Sequence, residues 1–162
     1  RNLASSFFAS VSGTKEGKTV EEVTKSATSL ANKKIGALIV LENRADVMDF
    51  VEPGTLMDSN LDREILTSIF MPVSPLHDGA VIIRKGRIHM AGCFLPLTLN
   101  PSVSKAVGTR HRAAIGLTEE TDAVCVVISE ENGGVSVAVN GKITHNLDST
   151  QLRKSLIEAL KS

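Results

Sequence analysis

The sequence has no tryptophan and no tyrosine, and its aromatic content is five phenylalanines, 3% of the chain. That argues against a base-stacking platform for single-stranded nucleic acid, which needs several exposed aromatic faces. There is no charge excess either, because 18 basic residues balance 18 acidic ones. Bulk electrostatic binding to DNA or RNA wants a strong basic surplus. Cysteine is scarce. Cys93 and Cys125 both sit inside apolar runs and lack zinc-type spacing, which reads as two buried, reduced thiols in a cytoplasmic compartment. No apolar run approaches the length of a transmembrane helix, and no signal-peptide pattern is present. The first residue is Arg1 rather than methionine, so this last absence bounds only the stretch in hand. Neither a P-loop nor a GxGxxG fingerprint occurs, which sets the common nucleotide folds aside.

What is present is an ordinary globular composition, 42% hydrophobic and 22% charged over 162 residues, enough for one domain with a sizeable core. Residues 1–18 are rich in Ser, Gly and Lys around an apolar knot of Leu3, Phe7 and Phe8, and read as a linker or docking arm. Thr19-Val-Glu-Glu22 has the form of a capping box. Val20, Val23, Ala27, Leu30 and Ala31 follow at helical spacing, with Gly36 as the stop. "ALIVLE" (37–42) and "AVCVVIS" (123–129) are short continuous apolar runs, hence buried strands. Residues 44–58 read as loop with one short strand. Asn60 or Ser59 caps a second helix carrying Leu61, Ile65, Leu66 and Ile69 and ended by Pro72. Lys85-Gly86 and Asn140-Gly141 are hairpin turns. An amphipathic helix opens near Asp148 or Ser149, with Leu152, Leu156, Ile157 and Leu160 on one face. Strands arranged in hairpins between helices predict a single α/β domain of α+β character. Its sheet is mixed or largely antiparallel, with helices on its faces.

Three stretches carry more chemistry than folding requires. In "PLHDGAVIIRKGRI" (75–88), Asp78-Gly79 makes a sound turn before a β-branched strand, but His77 is surplus to it. In "GTRHRAA" (108–114), Gly108 lets backbone approach a ligand closely and Thr109 can cap or turn the chain. A helix starting there would present free N–H groups to an anion, and Arg110 and Arg112 add forked donors for phosphate. In "SEENGG" (129–134), Ser129, Glu130 and Glu131 end a buried strand, and paired carboxylates suit Mg²⁺ or Mn²⁺. Each has a structural alternative: a plain turn, a solvated basic helix turn and a charged hairpin tip. Together they supply an acid or base in Asp78, phosphate donors in Arg110 and Arg112, and metal-capable groups in His77 and Glu131. The combined reading is a nucleotide- or phosphate-handling domain.

"LHDGA" (76–80), "GTRHRAA" and "SEENGG", in this order and with "GALIVLE" (36–42) and "CFLPL" (93–97) between and before them, resemble the diadenylate cyclase domain family. The match runs from about Thr19 to the C-terminal helix and is nearest to the membrane-anchored branch. The resemblance implies a catalytic domain over residues 19–162, preceded by a linker, 1–18, that follows a membrane segment outside this sequence. It implies a twisted mixed parallel/antiparallel central sheet flanked by helices. It also implies synthesis of cyclic di-AMP from two ATP with release of two pyrophosphates, using Mg²⁺ or Mn²⁺, with Co²⁺ as a further metal. Two domains would meet face to face in a transient homodimer or higher assembly, each holding one ATP whose 3′-hydroxyl attacks the other's α-phosphate.

Carried onto this chain, the resemblance puts Asp78 beside the 3′-hydroxyl, with Gly79 and Ala80 keeping backbone close to the ribose. His77 and Glu131 would contact the metal. Gly108, Thr109, Arg110, His111 and Arg112 would line the phosphates, with Ser129 and Glu130 near the triphosphate. Leu95 lies where the family holds adenine, beside Phe94. A regulatory membrane protein and a phosphoglucosamine mutase are candidate partners on the same ground, and nucleic acid is not. The full protein would sit at the cytoplasmic face of the membrane, with this piece soluble. An ATP-binding regulatory relative without turnover and a purely structural interaction module are the competing readings; intact DGA and RHR motifs favour the enzyme.

Overall fold

The computed structural model describes residue 11 and residues 13–161. Among them the order is α1 (Lys15–Asn32), β1 (Ala37–Leu41), a 3₁₀ turn (Met48–Phe50), β2 (Thr55–Asn60), α2 (Arg63–Ile69), β3 (Ala80–Arg84), β4 (Arg87–Cys93), α3 (Thr109–Glu120), β5 (Val124–Ile128), β6 (Val135–Val139), β7 (Lys142–Thr144) and α4 (Ser149–Lys161). The strands form one seven-stranded sheet in the order β2-β4-β3-β1-β5-β6-β7. Only β1 and β3 pair in parallel; the other neighbours are antiparallel. The expected mixed sheet with helices on both faces is thus the observed one.

The central strands are buried on both faces, which is why they read as unbroken apolar runs and not as alternating ones. Their side chains still divide with period two. Ala37, Ile39 and Leu41 of β1, Val124, Val126 and Ile128 of β5, and Val81 and Ile83 of β3 face one core, closed by α1, α2 and α4. Leu38, Val40, Cys125, Val127 and Ile82 face a second core, closed by Ala113, Ala114 and Leu117 of α3. Both cysteines are fully buried thiols. Burial pushes Cys125 up to about 12 and raises Cys93 as well, so neither is a nucleophile at neutral pH.

Several local expectations shift by a few residues. Thr14, not Thr19, caps α1: its hydroxyl accepts from the Gly17 amide, and the helix therefore begins five residues earlier, at Lys15. Thr19 lies inside the helix and donates back to the Lys15 carbonyl, while Glu22 leaves its own helix to grip Arg63 at 2.6 Å. The stop is not Gly36. Lys34 takes the left-handed conformation (φ 53°), and the amides of Lys34 and Ile35 reach back to the carbonyls of Ala31 and Leu30, a Schellman closure. Asp62, not Asn60 or Ser59, caps α2 by accepting from Glu64 and Ile65. Asn60 instead ends β2, Leu61 is half-buried and Ile65 is exposed, which leaves Leu66 and Ile69 to anchor α2. The apolar knot Leu3, Phe7 and Phe8 lies outside the described residues.

Candidate active site

Four adjacent central strands end at the same edge of the sheet. The start of β1, the start of β3, the end of β4 and the end of β5 meet there, because β1 and β3 run together while β4 and β5 oppose them. The register shows it: Ala37 pairs with Ile128, and Ala80 with Cys93. A cavity of about 1010 Å³ opens along that edge. That is the upper end of small-molecule sites and is roomy enough for a nucleoside triphosphate.

The His77-Asp78-Gly79 turn enters this cavity from the start of β3. Gly79 has φ 87°, and a Cβ there would meet the Cys93 carbonyl at 2.6 Å, so only glycine holds the turn against β4. His77 is fixed from behind: its Nδ1–H donates to the Ser74 carbonyl at 2.7 Å. In the neutral ring the lone pair then belongs to Nε2, which lies 3.4 Å from Asp78 Oδ1. The Asp78 side chain is 74% exposed, open to whatever fills the cavity.

Facing this turn is the start of α3. Gly108 is the N-cap, and it has no side chain to satisfy the first free amides; the first turn carries no acidic residue either. Thr109 is therefore the first helical residue, not a cap. The Arg110 guanidinium lies over Gly36, where a Cβ would come within 2.5 Å of it, and reaches Glu130 at 3.6 Å. Gly36, expected only to stop a helix, is thus the seat of Arg110. His111 lines the cavity too. Burial, then the neighbouring His145 ring at 5.7 Å, then Arg110, hold its pKa below the usual histidine value, and Glu131 opposes them, so the imidazole is neutral at neutral pH.

The Ser129–Gly134 turn closes the third side. The Ser129 amide donates to the Gly134 carbonyl and the Gly133 amide to the Ser129 carbonyl, each at 2.9 Å, and the Ser129 hydroxyl accepts from the Glu131 amide. Glu130 and Glu131 both line the cavity. Leu95 also lines the cavity, with Phe94 and Leu97 about half exposed beside it, an apolar surface suited to a purine face.

Eleven of the thirteen residues singled out from the sequence line this one cavity. Ala80 does not; it is fully buried in the second core. Arg112 does not either. Its guanidinium donates instead to the carbonyls of Val107 (3.1 Å) and Ser104 (2.8 Å), in the loop that precedes the helix. His145, held by Ser136 at 2.8 Å, and Lys33 and Lys34 also line the cavity. Lone residues outside any motif, they left no signal in the sequence.

The model of the DisA bacterial checkpoint controller nucleotide-binding family matches residues 24–143, which include all three motif stretches. The chain belongs to that family. It is 44% identical over 139 residues to the cyclic di-AMP synthase CdaA of Bacillus subtilis, covering 86% of this chain and 51% of that protein. It is 40% identical over 141 residues to a diadenylate cyclase of Listeria monocytogenes, covering 87% of this chain and 52% of that one. The chain thus spans about half the length of these two curated relatives. Among solved structures, DacA of Staphylococcus aureus superposes with a TM-score of 0.85 at 41% identity, over 91% of this chain and 98% of that one. A hypothetical membrane spanning protein of Bacillus cereus superposes at 0.77, with 41% identity, over 79% of this chain and 63% of that one. Within this family member, no helix of the described residues is long and apolar enough to cross a membrane.

Proposed function

We propose that the chain condenses two ATP into cyclic di-AMP and releases two pyrophosphates. The observation that carries this reading is the facing pair within one cavity: an exposed Asp78 on one wall, and Arg110 with the uncapped α3 start on the other. The adenine end is the apolar rim at Leu95, Phe94 and Leu97. The triphosphate lies toward Thr109, Arg110, His111 and Ser129, where free amides and a guanidinium supply donors.

In each half-reaction a 3′-oxygen forms a bond to the other nucleotide's α-phosphorus. Its proton passes to Asp78, and the bond from that phosphorus to the pyrophosphate oxygen breaks. Asp78 acts as general base, worth about 10²–10⁴-fold. His111 adds an imidazole ring to the same wall. One chain holds one Asp78 and one Arg110, whereas the product needs two reciprocal attacks, so two chains meet face to face about a two-fold axis. The segments that meet carry Asp78, Arg110, Glu130 and Glu131, which makes the dimer weak and dependent on the bridging nucleotides.

Residues fit for a divalent metal are present. The Nε2 lone pair of His77 lies next to the Asp78 carboxylate, and Glu131 adds a carboxylate at the cavity wall. Among the described residues no three such groups cluster together, so phosphate oxygens complete any ligand set. An imidazole donor suits Mn²⁺ or Co²⁺ better than Mg²⁺. When bound, the metal neutralises phosphate charge and polarises the α-phosphorus. A membrane anchor would raise the local concentration of paired domains.

The test is incubation of the chain with ATP and Mn²⁺ and mass spectrometry of the products, over a hundredfold range of protein concentration. Cyclic di-AMP is expected, with rate per milligram rising to a plateau. ATP binding without product would make the chain a nucleotide sensor. Product at a rate independent of dilution, from a chain that stays monomeric with ATP, would remove the face-to-face step.

A further inference from the structure

Arg112 sits in the motif that lines the phosphate end, yet its bonds run elsewhere. Nε donates to the Val107 carbonyl at 3.1 Å and Nη2 to the Ser104 carbonyl at 2.8 Å. Its own carbonyl accepts from the Thr98 amide at 3.1 Å. One residue therefore fastens both ends of the connection from β4 to α3. One turn further along α3, the bare backbone of Gly116 packs against the Pro96 carbonyl, and Glu119 accepts from the Thr98 hydroxyl at 3.0 Å. The connection is stitched to the helix along three turns.

That connection spans the whole cavity. It leaves β4 at the apolar rim, Leu95 and Leu97, and returns at Val107 and Gly108, where the free amides begin. Its middle, residues 99–106, is mostly exposed and has little apolar contact of its own: Leu99 is 95% exposed. A segment without burial is ordered by its hydrogen bonds. We infer that Arg112 is a positioning residue: it clamps the 98–107 loop, holds the base end and the phosphate end of the site at a fixed separation, and does not touch phosphate. The inference rests on the nucleotide reading of the cavity and assigns one arginine of the RHR motif to the scaffold and the other, Arg110, to the ligand.

A phosphate contact and a loop clamp predict different ligand dependence. Removing a phosphate contact weakens ligands in proportion to the phosphates they carry. Removing a clamp weakens every ligand that spans the loop by one common factor. The experiment measures equilibrium binding of AMP and of α,β-methylene ATP with Mg²⁺, to the wild-type chain and to Arg112→Ala, Arg112→Lys and Arg110→Ala. For Arg112→Ala both ligands are expected to weaken by the same factor, roughly ten- to hundredfold, about the worth of one bond from a charged donor, the rest of the loss falling on the free chain as well. Arg112→Lys, which can keep one carbonyl, shows the same equal weakening at a smaller factor and carries the test if the alanine variant does not fold. Arg110→Ala weakens the triphosphate analogue selectively. Without any ligand, hydrogen exchange at amides 104–108 accelerates in the Arg112 variants only. A loss confined to the triphosphate analogue, or unchanged exchange at 104–108, overturns the clamp. If the wild-type chain binds neither nucleotide, the nucleotide reading fails, while the exchange measurement still decides the clamp.

Discussion

The two faces of the sheet are built on different principles. The face under α1, α2 and α4 is filled with large aliphatic side chains: Leu30, Leu66, Leu152, Leu156 and Ile157 from the helices meet Ile39, Leu41, Val126 and Ile128 from the strands. Phe70 closes it. The face under α3 has a larger share of small ones: Ala80, Ala113, Ala114, Ala123, Ala138, Cys93 and Cys125 stand among Leu38, Val40, Ile82, Leu117 and Val127. Small side chains let α3 and the strand ends come close, so that Gly36 can seat Arg110 and Gly79 can touch β4. The first face holds the fold together, and the second brings backbone and charge to the cavity edge. Stability and function therefore separate by face more than by position along the chain.

Breaking the functional edge has the largest expected effect. Asp78→Asn is nearly isosteric at a side chain 74% exposed, so the melting temperature should stay within a degree or two of the parent, as for most surface changes. Turnover should fall by about 10²–10⁴-fold, with ATP binding retained. Steady-state rates beside a thermal melt check this, and a near-normal rate would remove Asp78 from the chemistry.

Breaking the other face should do the reverse. Leu156 is fully buried in α4, and Leu156→Ala should cost about 2–5 kcal/mol of folding stability through lost burial and the cavity left behind. Turnover per folded molecule, measured well below the melting temperature, should be unchanged. A matching loss of rate would show the two faces to be coupled.

The smallest effect sharpens the comparison through pH. Hydrogen bonding to Arg153 is the largest cause holding Glu21 below its ordinary carboxylate value. Because the folded-state value is lowered, the stabilisation is complete above the unfolded value of 4.5 and is lost as pH falls below it. The pair ties α1 to α4 on the first face and is partly exposed, so solvent screens it to no more than about 1 kcal/mol. Urea midpoints at pH 7 and pH 3.5 should differ less for Glu21→Gln than for the parent, with the rate at pH 7 unchanged.

The same division explains what could be read in advance. The helices of the first face are amphipathic, so their core residues stand at helical spacing; Val20, Val23, Ala27, Leu30, Leu152 and Leu156 are all legible as such. The paired turns at Lys85-Gly86 and Asn140-Gly141 have positive φ at both residues, which their chemistry announces. The helix ends were less legible, because several residues compete for each cap and the choice depends on tertiary partners. Glu22 is claimed by Arg63 across 41 positions of sequence and so is unavailable to a capping box at Thr19. β2 was barely visible because it is an exposed edge strand with a bulge between Leu56 and Ser59, and its pattern is not apolar.

The sequence by itself determined the sheet's central strands, the helix faces, the hairpin turns and the three motif stretches, because each depends on neighbours a few residues away. Only the tertiary structure decided that those stretches share one edge. That follows from β1 and β3 running parallel while β4 and β5 oppose them, a pairing over tens of residues that no local pattern encodes. It also decided which arginine faces the cavity. Arg110 and Arg112 are two residues apart on a helix, about 200° around its axis, and hence point to opposite sides. The side that meets the cavity is set by the packing of Ala113, Ala114 and Leu117 against the sheet, not by the arginines themselves.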